Sequence, residues 1–164
     1  VIMITTSEKM LEKVQAEVDL QLIKLTRKDI AAKSLENSKL ILVNNKEEAM
    51  DLSNAYAPEH LIIETSDYAE LSKNVINAGS VFLGSYTPES AGDYASGTNH
   101  TLPTHGYAMA YNGVNLDSYN RKVTFQEITP EGIRQIGNAV EIMAENEHLD
   151  AHKNAMKLRV DDVK

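Results

Sequence analysis

The sequence predicts an α/β fold: a partly parallel sheet with flanking helices, followed by a small carboxyl-terminal helical appendage. Three observations carry this. Short apolar runs of strand length alternate with segments whose apolar residues step by three and four. The joints between them are short, as in β–α units that lay parallel strands side by side. After residue 86 the alternation ends, and two amphipathic helical patterns close the chain. That change of pattern predicts an α/β domain over 1–120 and a small helical domain over 121–164.

The first strand is Val1-Ile2-Met3-Ile4-Thr5-Thr6, an apolar run of the kind buried on both faces. A terminal ammonium sits badly beside a core, so the chain is expected to be cut from something longer, its α/β domain truncated on the amino-terminal side. Ser7 caps a helix whose stripe is Leu11, Val14, Val18 and Leu22. A weaker helical pattern covers 27–35, and Leu40-Ile41-Leu42-Val43 is a short buried strand. Asn45, with Glu48 three residues on, opens the next helix. It must end near Ala57, because Pro58 disfavours helical geometry in the residue before it. Leu61 to Thr65 is a strand, followed by a helix through Leu71, Val75 and Ile76 that stops at Gly79. Val81-Phe82-Leu83 is the last strand of this half, which as a whole reads as incomplete Rossmann-like. Residues 87–120 are loop-rich with a short helix near 89–94, and 122–128 is a candidate strand. Thr129-Pro130-Glu131 supplies cap, proline and acid for a helix start. Its stripe is Ile133, Ile136, Val140 and Met143, and a last amphipathic segment runs from Leu149 to about Val160.

A length of 164 residues suits about one domain, and 42% hydrophobic with 24% charged residues is ordinary for a globular chain. The formal charge of −8 excludes a nucleic-acid partner, because phosphate contacts need clustered Lys and Arg. Here the nearest thing to a cluster is Lys24, Arg27 and Lys28. No apolar run approaches the roughly 20 residues of a membrane span, and no signal-peptide pattern opens the chain. A soluble, cytoplasmic protein without a membrane partner is expected. The chain has no cysteine, which excludes disulfides and thiolate metal sites.

The stretch from Thr87 to Thr104 is too rich in Gly, Ser, Thr and Pro for core, and such loops carry chemistry. It holds Asp93 and His100, residue types that bind borderline divalent metals. Gly92 and Gly97 have the spacing of a phosphate-binding loop, but Thr98-Asn99 stand where Lys and Ser or Thr are required. No G-x-G-x-x-G occurs, so the chain carries no dinucleotide fingerprint of its own. Glu59-His60 places a carboxylate beside an imidazole, the groups of general acid–base catalysis, although such a dipeptide also suits a solvated turn. The pair precedes a strand, whereas open α/β sheets place ligands beyond the carboxyl ends of parallel strands. An antiparallel strand would remove that conflict. His148 and His152, four apart, would share a face of a continuous helix, but Asn146 and Asp150 suggest a helix joint there. His105, in Pro103-Thr104-His105-Gly106, reads as a turn residue; Tyr107, Tyr111 and Tyr119 either line a pocket or pack.

Ala57-Pro58-Glu59-His60-Leu61, the stretch Tyr86 to Thr104, and Leu149-Asp150-Ala151-His152-Lys153-Asn154-Ala155 together resemble, in order and spacing, the carboxyl-terminal part of the histidinol dehydrogenases. The resemblance covers essentially the whole chain. It implies the oxidation of L-histidinol through an aldehyde to L-histidine, the last two oxidations of histidine biosynthesis, with two NAD and one zinc. It makes Glu59 and His60 the catalytic pair: His60 takes the alcohol proton and Glu59 activates the water that adds to the aldehyde. Asp93 and His152 match zinc ligands, the latter supplied in the family by the carboxyl-terminal helices of the other subunit of a homodimer. His100 and Glu147 match substrate-holding groups; Glu59, His60, Asp93 and His152 also border the substrate. The family's remaining zinc ligands, a Gln and a His, and its nicotinamide-binding half lie upstream, and no NAD-binding residue is assigned here. These residues alone are therefore expected to show little or no dehydrogenase activity. Two other readings are a non-catalytic α/β module for binding or dimerisation, and a zinc hydrolase in which Glu59 activates water directly.

Overall fold

The computed structural model describes residues 1–163. Strand β1 (Ile2–Thr5) pairs in parallel with β2 (Lys39–Leu42), in the register Ile2 to Lys39 through Thr5 to Leu42. Strands β3 (His60–Ile63) and β4 (Ser80–Leu83) pair in the same way, His60 against Ser80. The result is a mixed α/β chain with two small parallel sheets in place of the single sheet expected, because neither pair meets a strand of the other among the described residues.

The helices begin where local chemistry starts them. Helix α1 (Glu8–Leu22) opens on Ser7, whose Oγ accepts the Met10 N–H at 3.3 Å. After α2 (Lys28–Leu35) and β2, helix α3 (Lys46–Tyr56) opens on Asn45, whose Oδ1 accepts from Glu48 N at 2.8 Å. It stops at Ala57, which takes the left-handed conformation at φ 52° and donates its N–H to Ser53 O. Pro58 closes off any helical continuation.

A helix reaching Gly79 does not form. Helix α4 (Tyr68–Leu71) passes into a single 3₁₀ turn, Ser72–Asn74, and Val75 is extended. The amides of Ile76 and Asn77 donate instead to Asn54 Oδ1, at 2.8 and 3.2 Å. A tertiary acceptor outcompetes the helical ladder there.

Alternation shows within β3 and β4: Ile63 and Phe82 are each 4% exposed, while their neighbours Ile62 and Val81 face outward. Val43, Met50 and Ala57 complete this core. Burial of the first two strands on both faces is not met. Leu40 and Leu42 are 40% and 49% exposed, since α1 packs on β1 and β2 without enclosing them.

The chain divides into two compact units, Val1–Asn120 and Arg121–Lys164. In the second, residues 122–128 form no strand, because they find no neighbouring strand to pair with, and Phe125 is almost fully exposed. Helix α6 (Pro130–Asn146) starts where Thr129 Oγ1 accepts the Gly132 N–H at 3.1 Å, with proline in its first turn. At its end the N–H groups of His148 and Leu149 donate to Glu145 O and Ala144 O, the double closure of a Schellman motif, with His148 at φ 59°. Helix α7 (Asp150–Asp162) follows, so His148 and His152 do not share one continuous helix. Lys153 bridges back to Glu145 at 2.6 Å.

Candidate active site

The backbone of Pro58-Glu59-His60 is fixed by the chain leading into β4 (Ser80–Leu83). Gly79 N donates to Pro58 O and Ser80 N to Glu59 O, both at 2.9 Å. A Cβ on residue 79 would fall 2.5 Å from the Glu59 carbonyl oxygen, so only glycine permits that approach. Asn54, 9% exposed, anchors the same segment: besides accepting from Ile76 and Asn77, it donates to Asn74 O at 2.9 Å.

The chain bends at Glu59 before β3 begins at His60, and the two side chains of the candidate pair separate. Glu59 lines a cleft of about 500 Å³ with Tyr56, Pro58, His105, Gly106 and Met109. His105 occupies a turn there, at φ 54°. His60 instead faces helix α5 (Glu89–Tyr94): its Nε2 lies 3.7 Å from Glu89 Oε1 and 3.9 Å from Asp93 Oδ1. Its ring also tilts against Phe82, with centroids 5.9 Å apart.

Helix α5 reaches this position because Gly92 lies directly on Phe82; a Cβ there would sit 2.6 Å from the ring. Glu89 and Asp93, four residues apart, project from one helical face towards His60. Thr98 Oγ1 donates to Gly92 O at 3.1 Å and ties down the following loop. The cluster lies at the amino end of β3, and β3 runs parallel to β4. An antiparallel strand therefore does not resolve the topological conflict; the return of α5 across Phe82 brings carboxylates to that end.

The ligand-type atoms of His60, Glu89 and Asp93 all lie within 4.8 Å of one another. His60 Nε2 is itself buried and has no hydrogen-bond partner among the described residues. Two carboxylates and an imidazole are donors that zinc accepts, so this corner suits a divalent cation. Glu89 is the member that the sequence reading passes over. Its signal was its spacing of four from Asp93 within a predicted helix.

His100 is exposed in the loop after α5. Glu147 caps the end of α6 and His152 sits in the first turn of α7, both exposed and both in the second unit. The Tyr107 and Tyr111 rings contact each other at 6.0 Å while remaining exposed, and Tyr119 borders a second cleft with Gly97, Thr98 and Asn99.

Comparison with known proteins identifies the family. The family model described as histidinol dehydrogenase matches residues 1–160. The histidinol dehydrogenase of Bacteroides thetaiotaomicron is 67% identical over 162 residues, covering 99% of this chain and 38% of that protein. That of Bacteroides fragilis is 65% identical with the same coverage. The crystal structure of histidinol dehydrogenase from Elizabethkingia anophelis superposes with a TM-score of 0.88 at 48% identity, over 99% of this chain and 38% of that one. The chain thus spans well under half the length of the relatives it matches. It belongs to the histidinol dehydrogenase family.

Proposed function

We propose that this chain supplies the acid–base pair and part of the zinc shell of an enzyme that oxidises L-histidinol through L-histidinal to L-histidine with two NAD. The observation that carries the reading is the convergence of His60 and Asp93, residues 33 positions apart in sequence, at 3.9 Å. In the first oxidation His60 accepts the proton of the substrate hydroxyl as the carbinol hydride departs. In the second, Glu59 removes a proton from the water that adds to the aldehyde carbon, and the hydrated aldehyde then gives up its hydride. A carboxylate and an imidazole suit those two tasks near neutral pH.

Asp93 and His152 are the proposed zinc ligands, and His100 and Glu147 the proposed groups that hold the substrate. Zinc, when bound, supplies an anchor and a Lewis acid for the substrate's polar atoms. Homodimerisation is part of the proposal, with the second unit contributing Glu147 and His152 across subunits. No glycine-rich turn follows β1 or β2, so nicotinamide recognition is assigned to no residue of this chain, and no step is derived from it. A cytoplasmic location fits biosynthetic chemistry; among the described residues no helix is long and apolar enough to cross a membrane.

Zinc titration of the purified chain tests the reading. Binding that is lost in both Asp93→Ala and His152→Ala supports a retained metal site. Absence of any binding, or binding indifferent to both substitutions, rejects it in favour of a non-catalytic module.

A further inference from the structure

Resting on the assignment of Glu59 and His60 as the acid–base pair, we propose that Asn54 is the positioning residue for that pair, holding the backbone from which both side chains leave. Asn54 lies in the last turn of α3, just before the chain turns at Ala57, and is 9% exposed. Its Oδ1 accepts the N–H groups of Ile76 and Asn77 at 2.8 and 3.2 Å, and its Nδ2 donates to Asn74 O at 2.9 Å. In return Asn77 Nδ2 donates to the Asn54 carbonyl at 3.0 Å. The segment so gripped then meets the pair itself: Gly79 N donates to Pro58 O and Ser80 N to Glu59 O, both at 2.9 Å. The next step along is the His60–Ser80 register of β3 and β4.

Residues 54–60 and 74–80 are therefore the two sides of one hydrogen-bonded ribbon, tied at one end by the β3–β4 ladder and at the other by the Asn54 side chain. A two-stranded ladder is marginal on its own, so the tie at the Asn54 end decides how firmly Pro58, Glu59 and His60 are held. A side chain that only capped its own helix would bond within α3. Asn54 instead reaches residues 20 to 23 positions away, on the segment whose next bonds go to Pro58 and Glu59. Misplacing a reacting group by about 1 Å costs up to about a hundredfold in rate. Loss of this clamp should thus slow turnover more than it weakens substrate binding. Asp93 stands on α5, which Gly92 seats on Phe82, and His100 follows in the loop beyond.

The test is amide hydrogen exchange, followed by NMR on the ¹⁵N-labelled chain. In Asn54→Leu, which fills about the same space without polar atoms, the Gly79 and Ser80 amides are expected to exchange about tenfold faster, the scale of a lost buried hydrogen bond. The Val43 amide, bonded to Thr5 O at 3.0 Å in the other sheet, keeps the parent rate. Asn54→Asp retains an acceptor for both captured amides and should fall between the parent and Asn54→Leu. Asn77→Ala removes only the bond to the Asn54 carbonyl and is the safeguard should Asn54→Leu not fold; it should quicken the same two amides by about threefold. Parent rates at Gly79 and Ser80 in whichever of the two variants folds overturn the proposal. So does equal quickening at Val43, which would make Asn54 a general stabiliser. Turnover is read with the chain grafted in place of the matching segment of the Bacteroides fragilis enzyme. There Asn54→Leu is expected to lower kcat about tenfold while KM for L-histidinol moves by less than about twofold. A parent-like kcat overturns the positioning role. A folded, zinc-loaded graft indifferent to His60→Ala rejects the acid–base assignment instead, while the exchange rates still decide the clamp.

Discussion

At the scale of single residues, Gly92 governs how the candidate site is assembled. Its missing side chain lets α5 rest on Phe82, and that contact places Glu89 and Asp93 against His60. In Gly92→Ala the new methyl would meet two ring carbons of a side chain that is 4% exposed, at 2.6 and 2.9 Å. Alanine gains up to about 1 kcal/mol as a helix former, but overpacking of this kind costs about 1–3 kcal/mol. A net loss of stability is expected in urea titration, together with a zinc affinity about tenfold weaker, or 1.4 kcal/mol. Parent-like stability and zinc binding would show that this contact does not place the carboxylates. The sequence displayed Glu59, His60 and Asp93 plainly, since each is a reactive side chain in a conspicuous setting. Glu89 was legible only as a spacing, because its approach to His60 depends on which buried ring α5 packs against, a tertiary fact. The separation of Glu59 into the cleft and His60 towards α5 is likewise tertiary, arising where the chain bends into β3.

At the scale of elements, start and stop signals were read well wherever one or two residues decide them. Ser7, Asn45 and Thr129 all cap as their side chains require, and Pro58 ends α3. The misreadings fell where distant groups intervene. Asn54 captures the amides that would have extended the helix beyond residue 74, and the segment 122–128 has no partner strand to pair with. The joint between α6 and α7 offers a direct test. His148 is exposed and holds a left-handed conformation that costs a non-glycine residue about 1–2 kcal/mol. His148→Gly is expected to stabilise the chain by about 1 kcal/mol in thermal or urea unfolding. A destabilised variant would show that the imidazole makes interactions outweighing that strain.

Elements are also joined by charge. Lys46, in the first turn of α3, donates to both carboxylate oxygens of Asp67 at 2.7 and 2.6 Å, and this hydrogen bonding holds the Asp67 carboxyl below its usual range. Glu131 is held low in the same direction by Arg134. A carboxyl whose pKa is depressed on folding contributes stability above its unfolded value, and that contribution disappears as pH falls through the folded value. Unfolding measured from about pH 5 down towards pH 2 should therefore show falling stability. Lys46→Met should flatten that slope, modestly because the pair is exposed. An unchanged slope would mean that the pair is electrostatically silent.

At the scale of the whole molecule, the α/β class was legible in the alternation of strand and helix patterns, and the family from three short blocks. What the sequence could not convey is how thinly the apolar strands are covered: Leu40, Leu42 and Ile62 lie open, as does Phe125 ahead of α6. Exposed apolar surface of this kind suits further packing against protein, and the chain spans 38% of its Bacteroides relatives. On the proposed reading, catalysis needs groups beyond these residues. The most direct measurement is NAD reduction with L-histidinol and zinc by a chimera in which this chain replaces the matching segment of the Bacteroides fragilis enzyme, run beside the chain alone. Turnover by the chimera that is abolished by His60→Ala, with none from the chain alone, is the predicted result. Turnover by the isolated chain, or a folded, zinc-loaded chimera whose activity is indifferent to His60, would contradict it.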